Sequence, residues 1–272
     1  MPRSKYLLGK VARSDSLQAA WRHISEHATK ESHGMSEETI ESFRSSLSSN
    51  IKEIRKQLLG GTYKFGKHRA ATIDKDSGKK RPLKITDIRD CVVQRAMTKV
   101  LEDIFEDTYK LYNPASYAYL RKKSKRPAKG VQAAIKQMLT YHQENCEYVL
   151  EADIVNFFDK VKVDILLDEK IYPKLPDETI NKLIKEVFEM EIGNRDDLST
   201  DERNLYPEGS VGLPQGGYLS PLFANIYLSE LDQAMIKARF RLIRYADNFI
   251  VMCKSRAEAE QAYKLVKKIW TN

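Results

Sequence analysis

The sequence predicts an α+β fold, on three observations. Long segments repeat apolar residues every three or four positions, as amphipathic helices do. Two segments, 68–85 and 240–253, set short apolar, β-branched runs on either side of a polar turn, which is the pattern of a β-hairpin. A further apolar run, Tyr148 to Ile154, reads as a strand that carries an acid, Asp153, near its end.

Taken in order, the chain begins with a predicted helix around Leu17 to Ile24, followed by a polar loop from His27 to Gly34. The next helix is expected to start at Ser36 as N-cap, with Glu37 and Glu38 in its first turn and Met35 and Ile40 as a hydrophobic staple. Ile40, Phe43, Leu47, Ile51, Ile54 and Leu58 give it one apolar face, and Gly60-Gly61 stops it. The 68–85 hairpin turns through a basic, glycine-containing segment. Asp87 to Asp107 reads as helix, Tyr109 to Tyr119 as irregular and aromatic, and Gly130 to His142 as helix. Beyond the Asp153 strand, helices are expected near Asp164–Ile171 and Asp177–Ile192, then a loop from Gly193 to Gly209. Ser220 and Pro221 have the chemistry of an N-cap and first helical residue for a helix running to about Ala238. A last helix starts at Ser255, with Glu258 placed for a capping box.

Composition narrows the function classes. Of 272 residues, 42% are hydrophobic and 31% charged, the balance of a globular chain with a core. Lys and Arg outnumber Asp and Glu by 46 to 38, a net charge of +8, which favours polyanionic partners. The three cysteines, Cys91, Cys146 and Cys253, have neither zinc spacing nor a disulfide framework and suit a reducing cytoplasm. No apolar run approaches the ~20 residues that a membrane span needs. The histidines show no metal spacing, and no Ser-His-Asp, Cys-His or Walker-type loop is present.

The acids have two readings. The tip of the second hairpin, Tyr245-Ala-Asp-Asn248, is explained as a turn, because short polar side chains bond nearby backbone there. A carboxylate held out of an apolar sheet is also a mount for a metal. Alternation favours the second use for the partner strand: with Tyr148, Leu150, Ala152 and Ile154 packed under the sheet, Glu151 and Asp153 point to its open face. Asp159 is read as a cap for the next helix.

Together with Gly212–Tyr227, these two stretches resemble the palm of a reverse transcriptase of the bacterial group II intron type. The residues that carry the resemblance are Asp153-Ile-Val-Asn-Phe-Phe-Asp159, Pro214-Gln-Gly-Gly-Tyr-Leu-Ser-Pro-Leu222 and Tyr245-Ala-Asp-Asn248, in the family's order. One residue departs from the pattern: the family carries a second hairpin aspartate where this chain has Asn248.

The resemblance implies a right-hand polymerase: fingers at 1–86 and 166–215 with an N-terminal extension, a palm at 87–165 and 216–272 built on a split βαβ sheet, and no thumb. It implies RNA-templated DNA synthesis, with a catalytic set of Asp153, Asp247 and Asn248. Asp153, Ile154 and Asp247 would hold magnesium, with manganese as the alternative ion. The family places Lys75, Arg81, Phe158 and Gln215 at the incoming nucleotide, Phe158 lying under the sugar and Phe157 staying in the core. For Lys75 and Arg81 a solvated hairpin stands as the other reading, and for Gln215 a simple loop before a helix. The basic run Arg121, Lys122, Lys123, Lys125 and Arg126 falls where the family contacts template; solvated loop and RNA contact are both open there. Partners would be an RNA template, a DNA or RNA primer and dNTPs, without membrane attachment, in a bacterial cytoplasm, with oligomeric state open. A second function, an RNA-binding, maturase-like module without catalysis, is favoured by Asn248.

Overall fold

In the computed structural model of the chain, the described residues are 6–29, 31–74, 80–121, 123–124, 126–206 and 212–271, the side chains of Arg81 and Thr271 excepted. Lys75, Lys122 and Lys125 therefore lie outside the described residues, as does the side chain of Arg81. The order is α1 (Leu7–Val11), α2 (Ser14–His27), α3 (Ile40–Ser45), α4 (Leu47–Gly60), β1 (Arg69–Asp74), β2 (Lys80–Ile85), α5 (Ile88–Thr108), α6 (Val131–Gln143), β3 (Tyr148–Ala152), α7 (Phe157–Lys160), α8 (Val163–Ile165), α9 (Asn181–Glu189), α10 (Thr200–Arg203), α11 (Ser220–Lys237), β4 (Arg241–Tyr245), β5 (Asn248–Cys253) and α12 (Arg256–Thr271). No helix among the described residues is long and apolar enough to cross a membrane.

The chain forms two compact units, Met1–Leu101 with Phe158–Ser220, and Glu102–Phe157 with Pro221–Asn272. They are a division by packing, distinct from the fingers and palm divisions at 86/87, 165/166 and 215/216 that the resemblance implies, and α5 changes unit inside its own length.

In the first unit, α2 buries Leu17, Ala20, Trp21 and Ile24, and the Trp21 ring lies 4.7 Å from that of Phe43 on α3. The helix expected from Ser36 onward is two helices. Thr39, not Ser36, is the N-cap, and it forms a capping box with Ser42. The backbone of Ser36 instead donates to Asp87 Oδ1, so the Met35–Ile40 staple does not form at this cap. The second helix begins after Ser46, which leaves helical geometry at φ −119°, ψ 23°. Serines compete with the helix for backbone hydrogen bonds, and 45–49 holds four of them. Buried Asn50 bridges the break by donating to the Phe43 carbonyl. Gly61, at φ 70°, closes α4 as expected. Strands β1 and β2 form a two-stranded antiparallel sheet in the register Arg69↔Ile85 to Asp74↔Lys80.

In the second unit, three strands lie in the order β3-β5-β4, each outer strand antiparallel to β5. The outer strands are therefore parallel to one another with β5 inserted between them, a split βαβ pattern. One face packs Leu150, Ala152, Leu242, Phe249, Val251 and Cys253 against Leu231 and Met235 of α11 and Ala262 and Val266 of α12. The other face packs Ile243, Ile250 and Met252 against Ala133, Ala134, Met138 and Tyr141 of α6. Burying apolar area at roughly 25 cal/mol per Å² on both faces makes β5 the best-anchored strand of the unit.

Two expected caps are realised differently. Ser220 is the first residue of α11, and its hydroxyl donates to the Pro214 carbonyl at 2.7 Å. Ser255 does accept from the Glu258 amide, but the Glu258 carboxylate reaches the Lys254 amide, one residue before the cap.

Candidate active site

The β3–β5 ladder fixes where the acids sit. Its last pair is Ala152↔Phe249, so Asp153 leaves β3 beside the position of Asn248, with Asp247 one residue further into the turn. Residues facing each other across such a ladder share a face and lie ~4.5–5.5 Å apart at Cα. Leu150, Ala152 and Ile154 pack inward while Glu151 and Asp153 are exposed, and Tyr148 departs from this alternation by being 48% exposed at the strand's free end. The face that bears Asp153 is open only towards β3, since α6 covers it over β4 and β5. Asp247 is half-buried and Asn248 exposed. Among the described residues, neither Asp153 nor Asp247 has a hydrogen bond or ion pair to a protein group, so both carboxylates remain available to an external cation. Ile154 turns its side chain into the core, and its carbonyl accepts from the Phe157 amide at 3.0 Å.

The turn is tight. Tyr245 pairs with Asn248, leaving Ala246 and Asp247 as a two-residue loop, and Ala246 takes φ +58°. For a residue with a Cβ that conformation costs roughly 1–2 kcal/mol. Beneath it lies Arg244, only 1% exposed. Its Nη1 donates to the Ala246 carbonyl at 2.8 Å and to Asn225 Oδ1 at 3.0 Å. Its Nε and Nη2 take both oxygens of Asp232, at 2.7 and 2.6 Å, and Nη2 also donates to Ser116 Oγ at 3.0 Å. All five guanidinium hydrogens are thus placed. Asn113 adds a bond to Asp232 and accepts from the amides of Ala115 and Ser116. Sequence reasoning missed this network. The available signal was an arginine in the middle of an apolar strand, where a buried charge has to be paired.

In the first unit the nucleotide-set residues Phe158 and Gln215 come near one another through α7. The Leu213 amide donates to the Phe158 carbonyl at 2.6 Å. Gly212, at φ +87°, passes so close that a Cβ would stand 2.7 Å from that carbonyl oxygen, so only glycine fits. Gln215 Nε2 reaches Asp159 Oδ1 at 3.5 Å, and its carbonyl accepts from the Lys84 amide. Asp159 therefore does not cap the next helix: it sits inside the one-turn α7, and Lys162 occupies the cap position of α8. Burial lowers the Lys84 ammonium, and the Asp159 charge opposes that shift. Phe157 is in the core of the second unit, its ring 5.6 Å from Tyr227. Arg81 is paired in register with Ile73.

The described side chains of the basic run form ion pairs within the second unit. Arg121 pairs with Asp103, and both Lys123 and Arg126 pair with Glu106, Lys123 at 2.8 Å. Although burial opposes it, these two cations leave the Glu106 carboxyl below the usual range. Arg126 also lies over the Tyr112 ring, and the Lys129 ammonium 3.8 Å above Tyr117, where burial draws it down to about 8.

The second unit thus has a split βαβ sheet with two carboxylates at one end of adjacent strands. The family model for reverse transcriptase (RNA-dependent DNA polymerase) matches residues 73–272, and the chain belongs to that family. Relatives include the group II intron-encoded protein LtrA of Lactococcus lactis, 29% identical over 88% of this chain and 36% of its own length. Protein YkfC of Escherichia coli is 30% identical over 69% of this chain and 45% of its own. An uncharacterised 91 kDa protein in the cob intron of Schizosaccharomyces pombe is 31% identical over 80% and 24%. This chain thus spans less than half the length of each. Among solved structures, a partial Cas6-RT-Cas1–Cas2 complex matches 97% of this chain with a TM-score of 0.53 at 23% identity, a likeness of fold.

Proposed function

We propose that this chain carries the fingers and palm of an RNA-directed DNA polymerase acting on an RNA template, a DNA or RNA primer and dNTPs in a bacterial cytoplasm. The observation that carries the reading is the pair of carboxylates, Asp153 and Asp247, at one end of adjacent strands, with no hydrogen bond or ion pair from a protein group to either among the described residues. Divalent magnesium takes carboxylate oxygens, phosphate and water, and this donor set fits it. Asp153 and Asp247, with the Ile154 carbonyl, would hold the ion. When bound, it supplies charge that stabilises the attacking and departing oxygens at phosphorus. Phe158 bounds the sugar, Gln215 lies against the nucleotide, and Lys75 and Arg81 grip its phosphates. Asn248 retains an oxygen ligand but no charge, so turnover of this chain is low. That substitution also favours a second reading, an RNA-binding module that does not polymerise.

A labelled RNA template with a DNA primer, titrated at several salt concentrations and then supplied with magnesium and dNTPs, tests both readings. The expected result is binding that weakens steeply with salt, with slow, magnesium-dependent extension. Salt-dependent binding with no extension, in this chain and in the Asn248→Asp variant alike, selects the binding module. Salt-independent or absent binding overturns both.

A further inference from the structure

We propose that Arg244 is the positioning residue of the metal-bearing turn, an inference that rests on the polymerase reading for its catalytic meaning but not for its test. Three facts converge on it. Ala246 occupies the left-handed region, which a residue with a Cβ leaves unless something holds it. The only side-chain bond to its carbonyl among the described residues comes from Arg244 Nη1. That guanidinium cannot swing, because Asp232 takes its Nε–Nη2 edge with both oxygens while Asn225 and Ser116 take one further hydrogen each.

The anchors are themselves tied down. Asp232 and Asn225 project from α11, Asn225 also donates to the Ala118 carbonyl, and Ser116 sits on a segment bridged to β4. Main-chain bonds run both ways across that bridge, from the Arg244 amide to the Ala115 carbonyl at 2.7 Å and from the Tyr117 amide to the Arg244 carbonyl at 2.9 Å. Helix α11 and the 113–118 segment thereby meet in one side chain, and that side chain ends on the peptide preceding Asp247. The direction of the Asp247 carboxylate is set by the planar fork of an arginine, which a lysine ammonium cannot reproduce.

The test is Arg244→Lys, which keeps the cation opposite Asp232 but loses the fork. Amide hydrogen exchange at Asn248 reports the turn whether or not a metal binds. We expect it to rise at least tenfold while the amides of α12 exchange as before. Manganese titration of the primer–template complex by electron paramagnetic resonance should show at least tenfold weaker binding. Unchanged exchange at Asn248 in folded Arg244→Lys overturns the proposal. If the parent binds no manganese, the polymerase reading fails, and exchange at Asn248 still decides the positioning role. If Arg244→Lys does not fold, Asn225→Ala removes the second acceptor of the same nitrogen. Two- to fivefold faster exchange at Asn248 is then expected, and none overturns the proposal.

Discussion

The two hairpins of this chain have similar lengths and opposite support. β4–β5 is part of a three-stranded sheet, with α11 and α12 packed on one face and α6 on the other, and its two-residue tip rests on a buried guanidinium. β1–β2 is a sheet of its own, and Ile73 near its tip is 54% exposed. An isolated pair of strands is marginally stable in water, and this one is held by a few bonds to neighbouring loops. The Ala70 amide donates to Asn194 Oδ1 at 2.7 Å, the Lys84 amide to the Gln215 carbonyl, and the backbone of His68 bridges to that of Glu191 and Gly193. Under the proposed function the second hairpin is a metal mount, which needs fixed geometry, and the first closes on a triphosphate, which does not; the unequal packing of the two accords with that division.

The largest effect is expected at the rigid hairpin. Asn248 stands beside Asp153 in the continued ladder, so Asn248→Asp restores a full charge where the cation would sit. A unit charge at ~4 Å is worth about 4 kcal/mol at an effective dielectric of ~20, and each ~1.4 kcal/mol is tenfold in rate. Primer extension should therefore rise by roughly 10²- to 10³-fold. A melting temperature within about 2 °C of the parent is expected, because exposed turns accept Asp and Asn alike. Equal extension by the two forms would remove position 248 from the metal chemistry and weaken the case for a rigid mount.

A smaller effect is expected at the first hairpin. If Arg81 grips phosphate as proposed, the grip is the same in ground and transition states, so Arg81→Ala should raise KM for dNTP by about tenfold and leave kcat within about threefold. Steady-state kinetics on the Asn248→Asp background measures this. A large loss of kcat with unchanged KM would place Arg81 in the chemistry and make the first hairpin as much a rigid mount as the second.

Both hairpins were legible in the sequence because alternation and turn chemistry are local. The Asp153 strand and its place beside the tip followed from the order of the motifs. What holds the tip was not legible. Arg244 draws its partners from 12 residues ahead in Asp232, 19 in Asn225 and 128 in Ser116. No local pattern selects those positions from the other polar residues nearby. The acidic partners within the basic run's own unit were hidden for the same reason: Asp103 and Glu106, 18 and 17 residues upstream, engage Arg121 and Lys123. The helix break at Ser46 was masked by an apolar periodicity that continues across it, since Phe43 and Ile51 stay on one face whether or not the backbone ladder is interrupted.

The smallest effect tests the comparison most directly. Tyr206 is 1% exposed, and its hydroxyl lies against the carbonyls of Ala71 on β1 and Leu83 on β2. Burial raises its phenol above the ordinary value, so it stays protonated and donating throughout the neutral range. Tyr206→Phe keeps the ring in place and removes only that bond. A lost neutral hydrogen bond to backbone costs about 1 kcal/mol, which is about fivefold in a local opening equilibrium. Amide exchange at Ala71 and Ile73, which face β2 in the hydrogen-bonded register, should therefore quicken about fivefold, while Ile243 and Val251 in the other hairpin keep their rates. If all four quicken together, the hairpins open as one cooperative unit and the contrast between them is wrong. If none does, the hydroxyl is not what braces β1 to β2, and Asn194 becomes the residue to change next, because its side chain both accepts from the Ala70 amide and donates to the Ala70 carbonyl.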